Sequence, residues 1–209
     1  MPLQNRVDPW GVLFRTTARG TMMGNRGPSL HNDRREILRP FRGERWITCL
    51  LEFRGRQRTV MRPGYYTELF FLDEAVSFAA GHRPCAECRR ERFNAFREAW
   101  GLSQRIHREN SLRAPAMDAE LHRARIDGQG RKVTYRAAWD SLPDGAFVEI
   151  DGSGYLLWEG ALRLWSPEGY RKMVRPSAGE VAGVLTPKPV VAVFRHGYTP
   201  AVHPSALLL

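Results

Sequence analysis

The sequence predicts an α+β fold with a mixed first half and a mostly β second half. In residues 73–125, apolar side chains recur at helical spacing. In residues 142–194, short apolar runs are separated by turn residues. Hydrophobic residues make up 43% of the 209 residues, which supports a packed core and excludes bulk disorder. At roughly 100–200 residues per domain, the length fits one domain or two small ones.

We expect three units along the chain. Residues 1–30 are rich in Arg, Gly, Thr and Met and show little periodicity, so they predict a basic arm or loop. Residues 31–113 are expected to form a small module of strands and helices. Residues 114–209 are expected to begin with a helical connector and to continue as a mostly β domain.

The elements of the small module follow from local signals. The apolar, β-prone runs Trp46–Phe53 and Tyr65–Leu72 predict strands, and Thr59–Met61 predicts a returning strand between them. Asp73 stands where the N-cap of a short helix is expected. Gly81 is placed to end that helix in the left-handed conformation.

Two further helices are predicted before the β half. Residues 86–100 place Phe93 and Phe96 on one helical face, and a third, short helix is marked by Met117 and Leu121. The β half is predicted from apolar runs that alternate with turns such as Asp-Gly-Ser-Gly at 151–154. Its predicted strands are Ala146–Ile150, Tyr155–Trp158, Leu162–Trp165, Val181–Leu185 and Val190–Phe194.

The charge of the chain is concentrated in its first half. The formal net charge is +10, and residues 1–113 hold 21 arginines against 12 acidic residues. Such an excess indicates a polyanionic partner, most simply nucleic acid, although a GC-rich genome also enriches arginine. No apolar run approaches the ~20 residues that span a bilayer, and the N-terminus lacks an apolar signal core, so we expect a cytoplasmic protein without a membrane partner.

The cysteines form the sharpest local motif. Three cysteines are too few for a disulfide scaffold, and Cys85 and Cys88 form a C-x-x-C pair. Two intervening residues make the tight turn that lets both thiolates bind one Zn²⁺. The alternatives are a redox pair and incidental cysteines.

The run ELFFLDEAVSFAAGHRPCAEC, Glu68–Cys88, resembles the second half of the zinc-binding module of the Ada DNA-alkylation-repair family. The shared features are an aromatic strand, a short helix with Glu-Ala, and the pattern A-G-x-R-P-C-x-x-C. The similarity extends weakly back to Trp46, and Cys49 matches one cysteine of the family's other pair. The resemblance implies that residues 31–113 are an Ada-like zinc module in which Cys49, Cys85 and Cys88 bind Zn²⁺.

The fourth ligand of that family is missing from its usual place, where this chain has Phe53. His31 is the first candidate to replace it, ahead of His82 and Glu52, and water in an open position or a metal-free fold are the alternatives. His82 occupies an aromatic position of the family and is expected to pack. The apolar run around Cys49 indicates a buried thiol. This argues against a role of Cys49 as the acceptor of a methyl group in alkylation repair.

The leading functional hypothesis is a nucleic-acid-binding protein, with DNA as the expected partner, that acts in DNA repair or modification. Its zinc module would be structural. Arginines near the C-x-x-C turn, called the knuckle below (Cys85–Cys88), would contact phosphates without reading the base sequence. The arginines predicted for this role are Arg83, Arg89, Arg90 and Arg92.

The alternative is a nuclease or hydrolase that acts at a cleft between the two halves. Asp118 and His122 are spaced i, i+4 and share a face of the third helix, where they could hold a metal or orient a general base together with His31. A solvated helix face with a local ion pair explains the same spacing. A metal-free scaffold is the third hypothesis.

Overall fold

The computed structural model describes residues 1–57, 59–104 and 112–209. These residues contain helices and two six-stranded sheets, so the protein has the α+β architecture that the sequence predicts. The helices are α1 (Glu74–Ala79), α2 (Arg90–Ser103), α3 (Ala114–Arg125) and α4 (Lys188–Arg195). Within the described part of the chain, no helix is long and apolar enough to cross a membrane.

The first sheet has the strand order β2-β1-β5-β3-β4-β6. Its strands are β1 (Arg6–Val7), β2 (Leu13–Phe14), β3 (Met22–Asn25), β4 (Ile47–Cys49), β5 (Leu69–Phe71) and β6 (Arg83–Pro84). The β1–β5 and β4–β6 pairs are parallel, and the other neighbours are antiparallel. Residues 1–30, predicted as an arm or loop, thus contribute three strands to this sheet.

The second sheet has the order β11-β10-β9-β8-β12-β7. Its strands are β7 (Tyr135–Ala138), β8 (Phe147–Ile150), β9 (Ser153–Trp158), β10 (Ala161–Ser166), β11 (Gly169–Val174) and β12 (Val181–Val184). Asp151 and Gly152 form the two-residue turn between β8 and β9, with φ angles of 50° and 72°. Positive φ at both positions is what an Asp-Gly hairpin requires, so this predicted turn is confirmed.

Two predicted strands differ in the structure. Thr59–Met61 contains no strand and ends in a turn. Val190–Phe194 belongs to helix α4, although its β-branched residues favour a strand. Val190, Val193 and Phe194 are buried against the aromatic residues of α2, so packing of one helical face overrides the local preference.

The largest hydrophobic cluster joins the two predicted halves. It contains Val7 of β1, Phe71 of β5 and Val76 of α1 together with Phe147 of β8 and Leu156 of β9. Helix α1 therefore lies between the two sheets and packs against both. The domain boundaries at residues 30 and 113 stay predictions, and the sheets on either side share one core.

Both ends of helix α1 follow the sequence signals. The Asp73 side chain accepts a hydrogen bond from the backbone N–H of Val76 at 2.8 Å, which is the predicted N-cap. Gly81 follows the helix with a φ of +88°. A Cβ atom at Gly81 would lie 2.6 Å from the Cδ atom of Arg125, so the glycine is required by its conformation and by its neighbour.

Gly81→Ala is therefore expected to lower the free energy of unfolding by about 1–3 kcal/mol, measured by urea denaturation. Gly197 is a matched control because it also follows a helix, has a φ of +96° and has no heavy atom within 4 Å of a built Cβ. Gly197→Ala should show only the smaller cost of conformational strain. Equal losses of stability in the two variants would contradict the steric argument.

Candidate metal centre

Cys49, Cys85 and Cys88 converge on one point. Their Sγ atoms all lie within 4.8 Å of one another, so the group could hold a metal ion. Cys49 and Cys85 are buried, and Cys88 is half-buried. The convergence that the sequence predicts for these three cysteines is confirmed.

The first sheet brings the distant cysteine to the knuckle. Cys49 ends β4, and the parallel strand β6 runs beside β4 and leads directly into Cys85. The backbone N–H of Cys85 donates to the carbonyl of Thr48 at 2.9 Å, which fixes the register of the two segments. The side chain of Thr48 donates to the hydroxyl of Ser77 on α1 at 2.9 Å, so the helix supports the same arrangement.

The C-x-x-C segment has the hydrogen bonds of a tight turn. The backbone N–H of Glu87 donates to Sγ of Cys85 at 3.4 Å, and the backbone N–H of Arg89 donates to the carbonyl of Cys85 at 3.2 Å. Helix α2 begins at the next residue. Backbone N–H groups aimed at sulfur favour the thiolate form, which is the form that binds metal.

The three thiols are electrostatically unequal. Hydrogen bonds from Cys49 and Cys88 lower the pKa of the Cys85 thiol far below its usual value. The hydrogen bond to Cys85 raises the pKa of Cys49, and burial acts in the same direction. Three thiolates at one place repel one another, so a bound cation would compensate their charge and favour the deprotonated form of all three.

A groove of about 620 Å³ opens beside the cluster, and all three cysteines line it. Its walls are apolar and aromatic around Met23, Phe53 and Phe70, with Arg45 and Arg56 among the charged lining residues. The cluster is therefore reached from a surface groove rather than sealed in the core.

A basic loop, residues 50–57 and 59–66, borders this groove. The guanidinium groups of Arg54 and Arg56 lie 5.0 and 5.3 Å from the ring centre of Phe53. That of Arg62 lies 4.6 Å from the ring centre of Tyr65. All three arginines are exposed, so the loop presents cationic groups that lie against aromatic rings.

His31 has its own polar partners. Its Nδ1 atom lies 2.6 Å from the hydroxyl of Thr67, and its Nε2 atom lies 3.3 Å from the carbonyl oxygen of Arg62. Among the described residues, no histidine or carboxylate joins the three cysteines in the metal-binding group. His82 is fully buried with its ring 5.3 Å from Trp46, as expected for a packing role.

Asp118 and His122 also have separate partners. The Asp118 carboxylate accepts two hydrogen bonds from Arg83, at 2.8 and 2.7 Å, and both side chains are buried. The His122 ring packs edge-on against Trp46, and its Nδ1 atom lies 3.0 Å from a guanidinium nitrogen of Arg125. None of the predicted catalytic residues His31, Asp118 and His122 is among the described residues that line the groove.

The four arginines predicted to contact phosphate occupy different environments. Arg83 lines the groove but its guanidinium group is buried against Asp118, and that of Arg89 is buried against Glu74 at 2.8 Å, so both are held in ion pairs. Arg92 is half-buried and also pairs with Glu74, at 3.0 Å. Arg90 alone of the four is exposed.

The exposed arginines beside the groove, among them Arg54 and Arg56 of the run RGRQR, were not singled out by the sequence analysis. The combination of cationic and aromatic residues was visible in the sequence, since Phe53 precedes that run and Tyr65 follows later. Its meaning depended on a fold that places the loop beside the cysteines. The residues added by the structure are Arg45, Arg54, Arg56 and Arg62.

No protein-family model, curated protein or solved structure matches this chain. The similarity of residues 68–88 to the Ada zinc module therefore stays a prediction from the sequence. The cysteine cluster, the groove and the basic loop are the features of the molecule that bear on its function.

Proposed function

We propose that this protein binds DNA along the groove beside its cysteine cluster, and that the cluster holds Zn²⁺. The observation that carries the proposal is the position of the three thiols and the basic loop on one groove. A metal site and a cationic, aromatic surface at the same place fit a nucleic-acid-binding module better than either feature does alone.

The donor set favours zinc. Three sulfur ligands select a soft or borderline metal over Mg²⁺ or Ca²⁺, and a strand end combined with a C-x-x-C turn is a common source of zinc ligands. Cys49, Cys85 and Cys88 would bind the ion as thiolates. Zinc would join β4 to the start of α2 and so hold the floor of the groove in place. With three protein ligands, the fourth ligand would come from solvent or from a bound partner.

The basic loop supplies the contacts to DNA. Guanidinium groups of Arg54, Arg56 and Arg62 would bind phosphate oxygens, and the exposed ring of Tyr65 would stack on a base. Phosphate contacts and stacking are tolerant of sequence, so the proposed binding is non-specific. Arg56 also pairs with Glu87 of the knuckle at 2.8 Å, which connects the loop to the metal site.

DNA affinity is expected to fall steeply as salt rises from about 50 to about 200 mM, because binding releases counterions. Replacing Arg54, Arg56 and Arg62 together with glutamine should reduce the salt slope by about 0.9 for each phosphate that the variant no longer neutralises. Fluorescence anisotropy with single-stranded and duplex probes of one sequence measures both effects.

The control is a triple glutamine variant at Arg136, Arg175 and Arg195, which are exposed arginines of the second half. It removes the same charge from a surface outside the groove and should keep most of the salt slope. An equal reduction in both triple variants would mean that net charge alone drives binding. If neither probe binds the zinc-loaded protein with a salt-dependent affinity, the proposal is wrong.

A nuclease or hydrolase is the second candidate, and one observation favours it. Catalytic zinc sites use three protein ligands and leave one position for water or substrate, and here three cysteines face an open groove. In this function the zinc ion would supply Lewis acidity, and Arg45 and Arg56 would orient an anionic substrate. Multiple turnover of a phosphodiester substrate by the zinc-loaded protein would distinguish this function from binding alone.

A further inference from the structure

A second cavity, of about 430 Å³, is separate from the cysteine groove and is lined by cations. Arg26, Arg125 and Lys132 contribute to its walls, and Trp10 and Phe41 are among its aromatic lining residues. Arg26 and Arg125 are each only 1% exposed. Buried cations are costly unless an anion compensates them, so this cluster requires an explanation.

Arg26 lines this cavity and has one unused hydrogen-bond donor. Its Nη1 atom donates to the carbonyl of Gly11 at 2.9 Å, and its Nε atom donates to Nε2 of His82 at 3.2 Å. Its guanidinium carbon lies 4.3 Å from the ring centre of Trp46. Its Nη2 atom is buried and has no hydrogen-bond partner.

The other two cations are held by backbone groups. Arg125 lies 4.1 Å from the Trp46 ring centre and donates to the carbonyls of Gly81 and Glu44. Lys132 donates to the carbonyl of Ala79. Across the described residues, no carboxylate lies within ion-pair distance of Arg26, Arg125 or Lys132.

The carboxylates that act on these cations form no ion pair with them. Asp8 acts on Arg26 and Lys132, Glu44 and Asp118 act on Arg125, and Asp118 is already bound by Arg83. Burial lowers the pKa of Arg26 to about 9 and that of Lys132 to about 7, in keeping with the absence of an ion-paired carboxylate.

We propose that this cavity binds the phosphate group of a phosphate monoester. Phosphate oxygens would accept hydrogen bonds from Nη2 of Arg26 and from Lys132, and the negative charge would compensate all three cations. The apolar and aromatic wall around Trp10, Ile37 and Phe41 fits the remainder of the ligand, such as the nucleoside of a nucleotide. This proposal is independent of zinc and of the DNA groove.

The first test uses the wild-type protein. Inorganic phosphate and a nucleoside monophosphate should raise the melting temperature and change the tryptophan fluorescence, because Trp10 and Trp46 line the cavity. The matching nucleoside, and sodium chloride at equal ionic strength, should do neither. Oligonucleotides with a 5′-phosphate or a 5′-hydroxyl group distinguish a strand end from a free nucleotide as the source of the phosphate.

The second test uses Lys132→Gln, since Lys132 is half-buried and its replacement is less disruptive than that of Arg26. The dissociation constant for inorganic phosphate should rise about 10-fold, as expected when a charged hydrogen bond is removed. Lys172→Gln changes an exposed lysine of β11 and should leave that constant unchanged.

Three results would overturn the proposal. One is a wild-type protein that shows no response to phosphate beyond that of chloride at millimolar concentration. Another is equal binding of the nucleoside and its monophosphate. The third is a folded Lys132→Gln protein that binds phosphate as tightly as the wild type.

Discussion

Cys85→Ser protein is expected to contain no zinc after purification, whereas the wild type should contain about one ion per chain. Serine oxygen is a poor zinc ligand, and two remaining thiolates do not hold the ion at micromolar zinc. Because zinc would join β4 to the knuckle, the variant should also melt at a lower temperature than the zinc-loaded wild type. Elemental analysis and thermal unfolding measure the two effects.

His31→Gln provides the matched control. The imidazole of His31 already interacts with Thr67 and with the carbonyl of Arg62, so we expect this variant to keep its full zinc content. Loss of zinc on His31→Gln would instead support the sequence-based assignment of His31 as the fourth ligand. A wild-type protein that binds no zinc when refolded with the metal would remove the proposed role of the cluster.

Local signals in the sequence predicted the region around helix α1 well. Asp73 and Gly81 act through backbone groups only a few residues away, so their roles can be recognised without knowledge of the fold. The turn at Cys85–Cys88 also depends only on residues that are close in the sequence. Cys49 is different, because its approach depends on the parallel pairing of β4 and β6, and only a family resemblance indicated it.

Long-range partners could not be predicted. Arg83 and Arg89 were assigned to phosphate from their position near the C-x-x-C motif, and nothing local indicated that Asp118 and Glu74 would bind them. The helix at Val190–Phe194 was missed for the same reason, since packing against α2 determines its conformation. Arg83 and Asp118 are 35 residues apart in the sequence, so their pairing depends on the whole fold.

The second large expected effect is a loss of stability when the ion pair between Arg83 and Asp118 is broken. Asp118→Ala is expected to lower the free energy of unfolding by about 3–5 kcal/mol, because it leaves a buried guanidinium without its carboxylate. Chemical denaturation measures this decrease. Glu120→Ala on the same helix is the control, since Glu120 and Arg123 form an exposed pair worth less than about 1 kcal/mol.

A double variant separates a structural role of Asp118 from a catalytic one. Replacing Arg83 with methionine and Asp118 with leucine removes both charges together and should recover much of the stability that Asp118→Ala loses. If Asp118 is only an ion-pair partner, DNA binding should recover with stability, except for any contact that Arg83 itself makes as a residue lining the groove. A stable double variant that keeps DNA binding but loses hydrolytic turnover would instead favour the enzyme and would place Arg83, which lines the groove, or its partner Asp118 in the chemistry.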